Sequence, residues 1–445
     1  MTNRVRNVVF LSIDALRADH CSCYGYERET TPRLDGFAKE NDRFENAYSA
    51  SSHTREAIPA LLTGRYPDAA VDAGYRLVAD SIATHLGRAG FSTAGFHSNP
   101  FVSRAYGFDQ GFDSLDDDLR FGRNRFIALA QRALDVARHR NYARATEINE
   151  RSLDWLDSLE GSGPEERFFL WNHYMDVHGP YEPPTGYREF VSKYPGDREV
   201  QKLYKRAIDR PDSVTEAERR LLIDCYDAEI RYTDHHIGAF LDALDDRGLL
   251  DETLVILTAD HGDAFGEHGY YEHPRYLHEE LLRVPLLVGG SGVSTVGGGV
   301  YEEPVSTLDV VPTLLDAVGV SHDSPELPGR SLRTMLSGRT GGIDDGAGTD
   351  SDRGRYVFGQ AHGEGADERL RRFSVRDRSG WSSLEYDLDA ERVIEERPHS
   401  GGDPLLGVLR EHVAERAGRV EQSAATDTEP TEEIERRLEA LGYRE

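Results

Sequence analysis

The sequence predicts an α/β fold: a large, mostly parallel sheet sandwiched by helices, with a small α+β subdomain near the C-terminal end. Three observations predict it. Short apolar runs rich in β-branched residues alternate with helical patterns as far as Val318. Chemistry-bearing residues stand directly after those runs, Asp14 after Asn7–Ile13 and Asp260-His261 after Thr253–Ala259. The length, 445 residues, suits one large domain with an appendage.

The elements follow in order. Asn7–Ile13 (NVVFLSI) has the pattern of a buried strand ending in a carboxylate, Asp14. Pro32, Leu34 and Phe37 predict a short helix after a loop. Thr54 precedes Ile58, Leu61 and Leu62, and Gly64 stops the run, which predicts a helix with a hydroxyl at its start. Residues 81–89 predict a helix and 91–96 a strand. Residues 167–174 (RFFLWNHY) predict a strand, and 215–244 a long helix. Thr253–Ala259 (TLVILTA) is the clearest strand, followed by a strand at 284–288 and a helix at 308–318 with Pro312 inside it. Residues 1–340 therefore form the main domain. The stretch 341–352 (GGIDDGAGTDSD) is small, polar and acidic, as a linker or exposed loop is. Residues 353–400 predict a small β subdomain with strands at 356–361, 372–376 and 382–388. Residues 401–445 predict a helical tail, with a polar break at 422–431 before a charged helix at 432–441.

Charge narrows the partners. Acidic residues number 80 against 52 basic ones, a net charge of −28, and only Lys39, Lys193, Lys202 and Lys205 are lysines. Such a surface repels nucleic acid and anionic membrane. It matches a cytoplasm of very high salt, where a short Debye length screens self-repulsion, so a halophilic protein is expected. Cys21, Cys23 and Cys225 make no disulfide framework, and Cys21 and Cys23 lack further ligands at zinc spacing. No run is apolar for long enough to span a membrane, and the run from Val8 to Ile13 is too short for a signal core. The expectation is a soluble, cytoplasmic protein with no membrane partner; its oligomeric state is not encoded legibly.

Asp14, Thr54, Asp260 and His261 form the strongest constellation. Two carboxylates, an imidazole and a hydroxyl make a four-ligand set for one divalent cation, and a bound Thr54 hydroxyl would gain nucleophilicity. The alternative is that the aspartates cap helices and Thr54 merely starts one. His173, Asp176 and His178 make a second group in WNHYMDVHGPYEPP, where a histidine can protonate a leaving group. The third lies in DHGDAFGEHGYYEH, whose glycines let His268 and His273 reach the same rim. His85, His139, His322, His399 and His412 stand alone and are expected at the surface; His235 and His236 fall on the long helix, at its surface or core edge. The arginine-rich stretches 120–140 and 188–210 have the composition of solvated faces, with recognition of an anionic substrate as the alternative.

Seven ordered blocks carry a resemblance: NVVFLSIDALRADHCSCYGY, TTPRLDGFA, ASSHTREAIPALLTGRYP, WNHYMDVHGPYEPP, YDAEIRYTDHHIG, LTADHGDAFGEHG and STLDVVPTLLDAVGV. In that order they resemble the sulfatases of the alkaline-phosphatase superfamily, over roughly residues 5 to 390. The resemblance implies a large α/β domain with a metal site and a small C-terminal subdomain. It implies hydrolysis of a sulfate or phosphate ester, a small anionic substrate, through a covalent intermediate. Asp14 and Asp260 match metal aspartates of the family, although Ala15 stands where many members have a second aspartate. His261 takes a position held by Asn or His. His178 matches the histidine of the HxPY block, His273 lies where many members place a lysine, and Asn99 lies near a polar substrate contact. The formylglycine motif C/S-x-P-x-R is absent: Thr54, Arg55, Glu56, Ala57 and Ile58 stand in its register. Threonine cannot become formylglycine, so none is expected, and Arg55 is the candidate for the missing positive charge. A His-containing ligand set favours Mn²⁺ or Zn²⁺ over Ca²⁺. Two other functions remain compatible: a phosphoryl or phospho-alcohol transferase, and a non-catalytic binding homologue.

Overall fold

A computed structural model describes residues 5–118, 142–159, 167–290, 298–321, 327–336, 355–398 and 403–420. Its frame is built from strands β1 (Asn7–Ile13), β2 (Asp42–Phe44), β3 (Ser92–Phe96), β4 (Ser114–Asp116), β5 (Phe168–Tyr174), β6 (Thr253–Ala259), β7 (Leu286–Gly290) and β8 (Val300–Tyr301). Their order across the sheet is β8-β2-β7-β6-β1-β5-β3-β4. From β6 to β4 every pairing is parallel, and β7 runs antiparallel to both its neighbours. β1, β5 and β6 are buried along their whole length, as strands covered on both faces must be. Parallel pairing needs crossovers, and helices supply them.

The helices that matter for function are α1 (Thr54–Thr63), α2 (Ala145–Leu159) and α3 (Glu216–Asp246). The last opens with a capping box in which Thr215 and Glu218 satisfy each other's backbone N–H groups. Pro285 splits the strand expected at 284–288 into Arg283–Val284 and β7, because proline has no N–H to give a ladder. The helix expected at 308–318 begins as a 3-10 turn, Thr307–Asp309, before Val310–Val318.

The C-terminal subdomain is a four-stranded antiparallel meander, β9 (Val357–His362), β10 (Leu370–Asp377), β11 (Gly380–Asp387) and β12 (Arg392–Pro398). The fourth strand escapes the sequence reading, because its RVIEERP carries charges on both faces and no apolar alternation. Helix Asp403–Val420 belongs to this subdomain and is not a tail: Leu405, Leu409 and Val413 pack on Phe373, Val375 and Leu384. The same helix reaches the main domain through the Arg416–Asp68 ion pair. His412, expected at the surface, stacks on Phe358 at 3.9 Å and meets Tyr66 at 5.2 Å. The linker at 341–352 and the helix at 432–441 lie outside the described residues. No helix among the described residues is long and apolar enough to cross a membrane.

Leu409 is fully buried between this helix and the sheet. Leu409→Ala should cost about 2–4 kcal/mol of unfolding free energy in denaturant titration. A cost below about 0.5 kcal/mol would mean that the helix is not part of that core.

Candidate active site

The site grows from two neighbouring strand ends. Asp14 follows β1 and Asp260 follows β6, which pair in register to Ile13 and Ala259. Both carboxylates are buried. The turn after Asp14 is strained: Ala15 sits at φ 57°, a left-handed conformation that costs a non-glycine residue about 1–3 kcal/mol. It is held there by its own N–H, which donates to Asp260 Oδ1 (3.2 Å), and by Tyr226 of α3, whose hydroxyl donates to its carbonyl (2.7 Å). The His261 N–H also donates to Asp260 Oδ1 (2.9 Å).

A consistent set of protons fixes Asp14. Trp171 Nε1–H donates to Ser12 Oγ (2.9 Å), and Ser12 Oγ lies 3.0 Å from His173 Nδ1. With the Ser12 proton on that contact, His173 carries its own proton on Nε2, 3.3 Å from Asp14 Oδ2. Asn99 Nδ2 donates to the same oxygen (2.9 Å). Asn99 therefore orients a carboxylate, where the sequence had suggested a substrate contact. Its Oδ1 is also engaged, capping the turn Pro100–Val102 through Phe101 N–H.

Two anionic oxygens remain. Asp14 Oδ1 and Asp260 Oδ2 are buried and accept no hydrogen bond among the described residues. Burial raises the Asp260 pKa, and the Asp14 charge raises it further. Both oxygens face His261 Nε2, at 3.7 and 3.4 Å. His261 Nδ1 lies 2.8 Å from the Gly262 carbonyl and donates to it, so in neutral His261 the Nε2 lone pair points at the carboxylates. Thr54 Oγ1 is 2.9 Å from that Nε2. This spacing is a hydrogen bond, and it also matches the roughly 3 Å between neighbouring ligands on one ion. Two orphan carboxylate oxygens, an imidazole lone pair and a hydroxyl fit a divalent cation. Asp14, His173 and Asp260 offer ligand atoms within 4.8 Å of one another, although the proton assignment above leaves His173 as a donor to Asp14.

Thr54 is the first residue of α1, and His53 caps it by accepting the Arg55 N–H (3.2 Å). His53 was not singled out in the sequence, although it stands beside Thr54. It joins a cluster of rings around His273: His261 at 4.4 Å, His178 at 5.0 Å and His53 at 5.5 Å. Burial pushes His53 and His273 well below the ordinary imidazole range and His178 down to about 4. Burial lowers His261 too, but Asp260 and Asp14 outweigh it and its pKa is raised. Asp263 is a further buried member, found only in the structure; its Oδ1 is 3.5 Å from His273 Nδ1, and its Oδ2 accepts from Tyr181. Its signal was the second aspartate of DHGDAFG.

Arg55 lies over Phe101 (4.1 Å) and Tyr75 (5.2 Å) and makes no carboxylate ion pair among the described residues. Arg275 approaches the other side, over Tyr75 at 5.4 Å, and ion-pairs with buried Glu56. Glu56 also accepts the His362 N–H (3.2 Å) from β9, while Gln360 N–H donates to the Ala50 carbonyl (2.8 Å). His268 does not join this group: it is 46% exposed at its side chain, pairs with Glu280 (3.3 Å) and stacks on His278. His235 is exposed and His236 and His85 are half-buried, while His139, His322 and His399 lie outside the described residues.

Comparison with known proteins agrees with this architecture. A family model described as Sulfatase matches residues 6–320. The arylsulfatase of Clostridium perfringens is 26% identical over 431 residues, spanning 85% of each chain. The choline-sulfatase of Rhizobium meliloti is 26% identical over 378 residues, 76% of this chain and 73% of the relative. Among solved structures, the phosphonate monoester hydrolase from Silicibacter pomeroyi has a TM-score of 0.67 at 21% identity, covering 94% of this chain and 96% of that one.

The loop that carries His178 is held by a buried triad. Arg144 pairs with Asp176 (3.0 Å) and Glu229 (2.9 Å), and Glu229 accepts the Glu182 N–H (2.9 Å). Burial lifts Asp176 to about 6 and Glu229 to about 7, against the pull of Arg144. Both folded values exceed the unfolded ones, so between about pH 4 and 7 the folded state holds more protons and stability falls as pH rises. Arg144→Met removes the counter-charge. It should cost about 3–5 kcal/mol at pH 8, where both acids are ionised, and clearly less at pH 5. Equal losses at the two pH values in urea titrations would contradict the pairing.

Proposed function

The chain belongs to the sulfatase family, and from that premise we propose that it is a metal-dependent ester hydrolase with Thr54 as nucleophile and a phosphate or phosphonate ester as substrate. The observation that carries the proposal is Thr54 Oγ1 at the start of α1, 2.9 Å from His261 Nε2, a nitrogen that also faces two carboxylate oxygens with no hydrogen bond among the described residues.

Asp14, Asp260, His261 and Thr54 would hold the cation. A divalent ion bound there supplies Lewis acidity and lowers the pKa of the Thr54 hydroxyl. The imidazole ligand favours Mn²⁺ or Zn²⁺ over Ca²⁺. Asn99 and His173 keep Asp14 in orientation by occupying its other oxygen. The positive end of the α1 dipole, at Thr54, suits an incoming anion.

The other residues divide the proton work. His178 Nδ1 donates to the Gly179 carbonyl (2.6 Å), so its neutral ring presents an accepting Nε2. That nitrogen suits taking a proton from the water that opens the threonine ester. His273 has the Asp263 carboxylate behind it, which would support a transient positive charge as its neutral ring takes the proton that Thr54 gives up and passes one to the leaving oxygen. Arg55, which makes no carboxylate ion pair among the described residues, offsets charge that builds on the transferred group.

Threonine decides between sulfur and phosphorus. A formylglycine hydrate expels sulfate by collapsing to its aldehyde. A threonine ester has no such exit, so water must attack the central atom, and that attack is better supported at phosphorus. The arylsulfatase and choline-sulfatase relatives keep a sulfate ester as the competing reading.

The test is turnover of paired aryl phosphate, aryl phosphonate and aryl sulfate esters in molar KCl with Mn²⁺. The phosphorus esters should turn over. Thr54→Ala should lose at least about 10³-fold in kcat, and Thr54→Ser should retain much of it, because a primary hydroxyl fills the same role. Full activity in Thr54→Ala would sink the mechanism, and turnover of the sulfate ester alone would reverse the substrate assignment. Transfer to an added alcohol would favour the transferase reading.

A further inference from the structure

We infer that His268, His278 and Glu280 form a second metal site, separate from the Thr54 cluster and suited to a zinc-class transition ion. Their ligand atoms lie within 4.8 Å of one another. His268 Nε2 is 3.3 Å and His278 Nδ1 4.0 Å from the same atom, Glu280 Oε1. A tetrahedral ion with bonds of about 2.0–2.1 Å sets neighbouring donors roughly 3.3–3.4 Å apart. The His268 contact has that length already, and the His278 contact reaches it when that ring leaves its stack and its contact with Tyr270.

The two imidazoles stack at 3.9 Å and 26°, so an ion would turn the rings out of the stack until both nitrogens face it. Tyr270 Oη, 2.5 Å from His278 Nδ1, donates to Glu280 Oε1 (3.1 Å), and a bound ion would displace the His278 contact. Aromatic rings wall the group: Tyr276 stacks on Tyr270 at 5.2 Å, and Trp381 of β11 meets His278 edge-on at 6.0 Å. Glu280 is buried and His278 nearly so, while His268 is half-exposed and leaves a route for an ion to enter. Two nitrogens with one carboxylate select Zn²⁺, Co²⁺ or Ni²⁺ over Mg²⁺ or Ca²⁺.

The site would be structural. His268 lies at one end, and His278 and Glu280 at the other, of the segment that carries His273 and Arg275. An ion joining them closes that segment into a loop and holds both residues against the Thr54 cluster.

Equilibrium dialysis of the EDTA-stripped full chain against Zn²⁺, followed by metal analysis, tests the site. The count is read as a difference between variants, so it does not depend on what the Thr54 cluster binds. His268→Ala, a half-exposed position, and Glu280→Gln, an isosteric change, should each bind about one ion fewer per chain than the unaltered protein. Added Zn²⁺ should raise the Tm of the unaltered chain by more than that of either variant. With Co²⁺ in place of Zn²⁺, the unaltered chain should show visible d–d bands that both variants lose. Equal Zn²⁺ content in all three proteins would overturn the site and leave a hydrogen-bonded histidine pair.

Discussion

Two like charges forced together out of water are the constraint from which the rest of this structure follows. Adjacent parallel strands end in Asp14 and Asp260, and the sheet leaves neither carboxylate a way to solvent. At a separation of a few ångströms such a pair repels by several kcal/mol even at an effective dielectric near 20. The protein answers with donors on one oxygen of each: Asn99 and His173 on Asp14, and the N–H groups of Ala15 and His261 on Asp260. It does not answer on the other oxygens. A fold that completes half of two solvation shells and stops has kept a place for positive charge.

Part of the backbone strain lies near the same point. Among the described residues five non-glycine positions have positive φ, and Ala15, Tyr75 and Glu272 are the three beside site residues, while Asp118 and Glu391 lie elsewhere. Ala15 follows Asp14, Tyr75 lies under Arg55, and Glu272 precedes His273. Each holds a residue at an angle that relaxed backbone would not give. The stability for this comes from elsewhere, from the wholly buried strands and from ion pairs such as Arg144 with Asp176 and Glu229.

Much of this was legible in the sequence. The strands β1, β5 and β6 are apolar runs that end in polar residues, so the rim where Asp14, Asp260 and His261 meet follows from periodicity and a parallel sheet, while the order of the strands does not. Thr54 stood out because the family motif fails there. What was not legible has physical reasons. Asn99 and His268 are chemically competent anywhere; only the fold decides that one turns toward Asp14 and the other toward Glu280. His412 looked solitary because its partners, Tyr66 and Phe358, lie far away along the chain. Strand β12 has no alternation to detect, since its neighbour β11 covers only one edge and its faces stay largely wet.

The hydrogen bonds from Gln360 and His362 to Ala50 and Glu56 set an order in which this region can be completed. The ribosome makes the Thr54 helix early and β9 some three hundred residues later. Until β9 emerges, Glu56 and Arg275 lack their third partner and the backbone before Thr54 lacks its clamp. The surroundings of Thr54 are thus completed by a strand that lies far downstream in the chain.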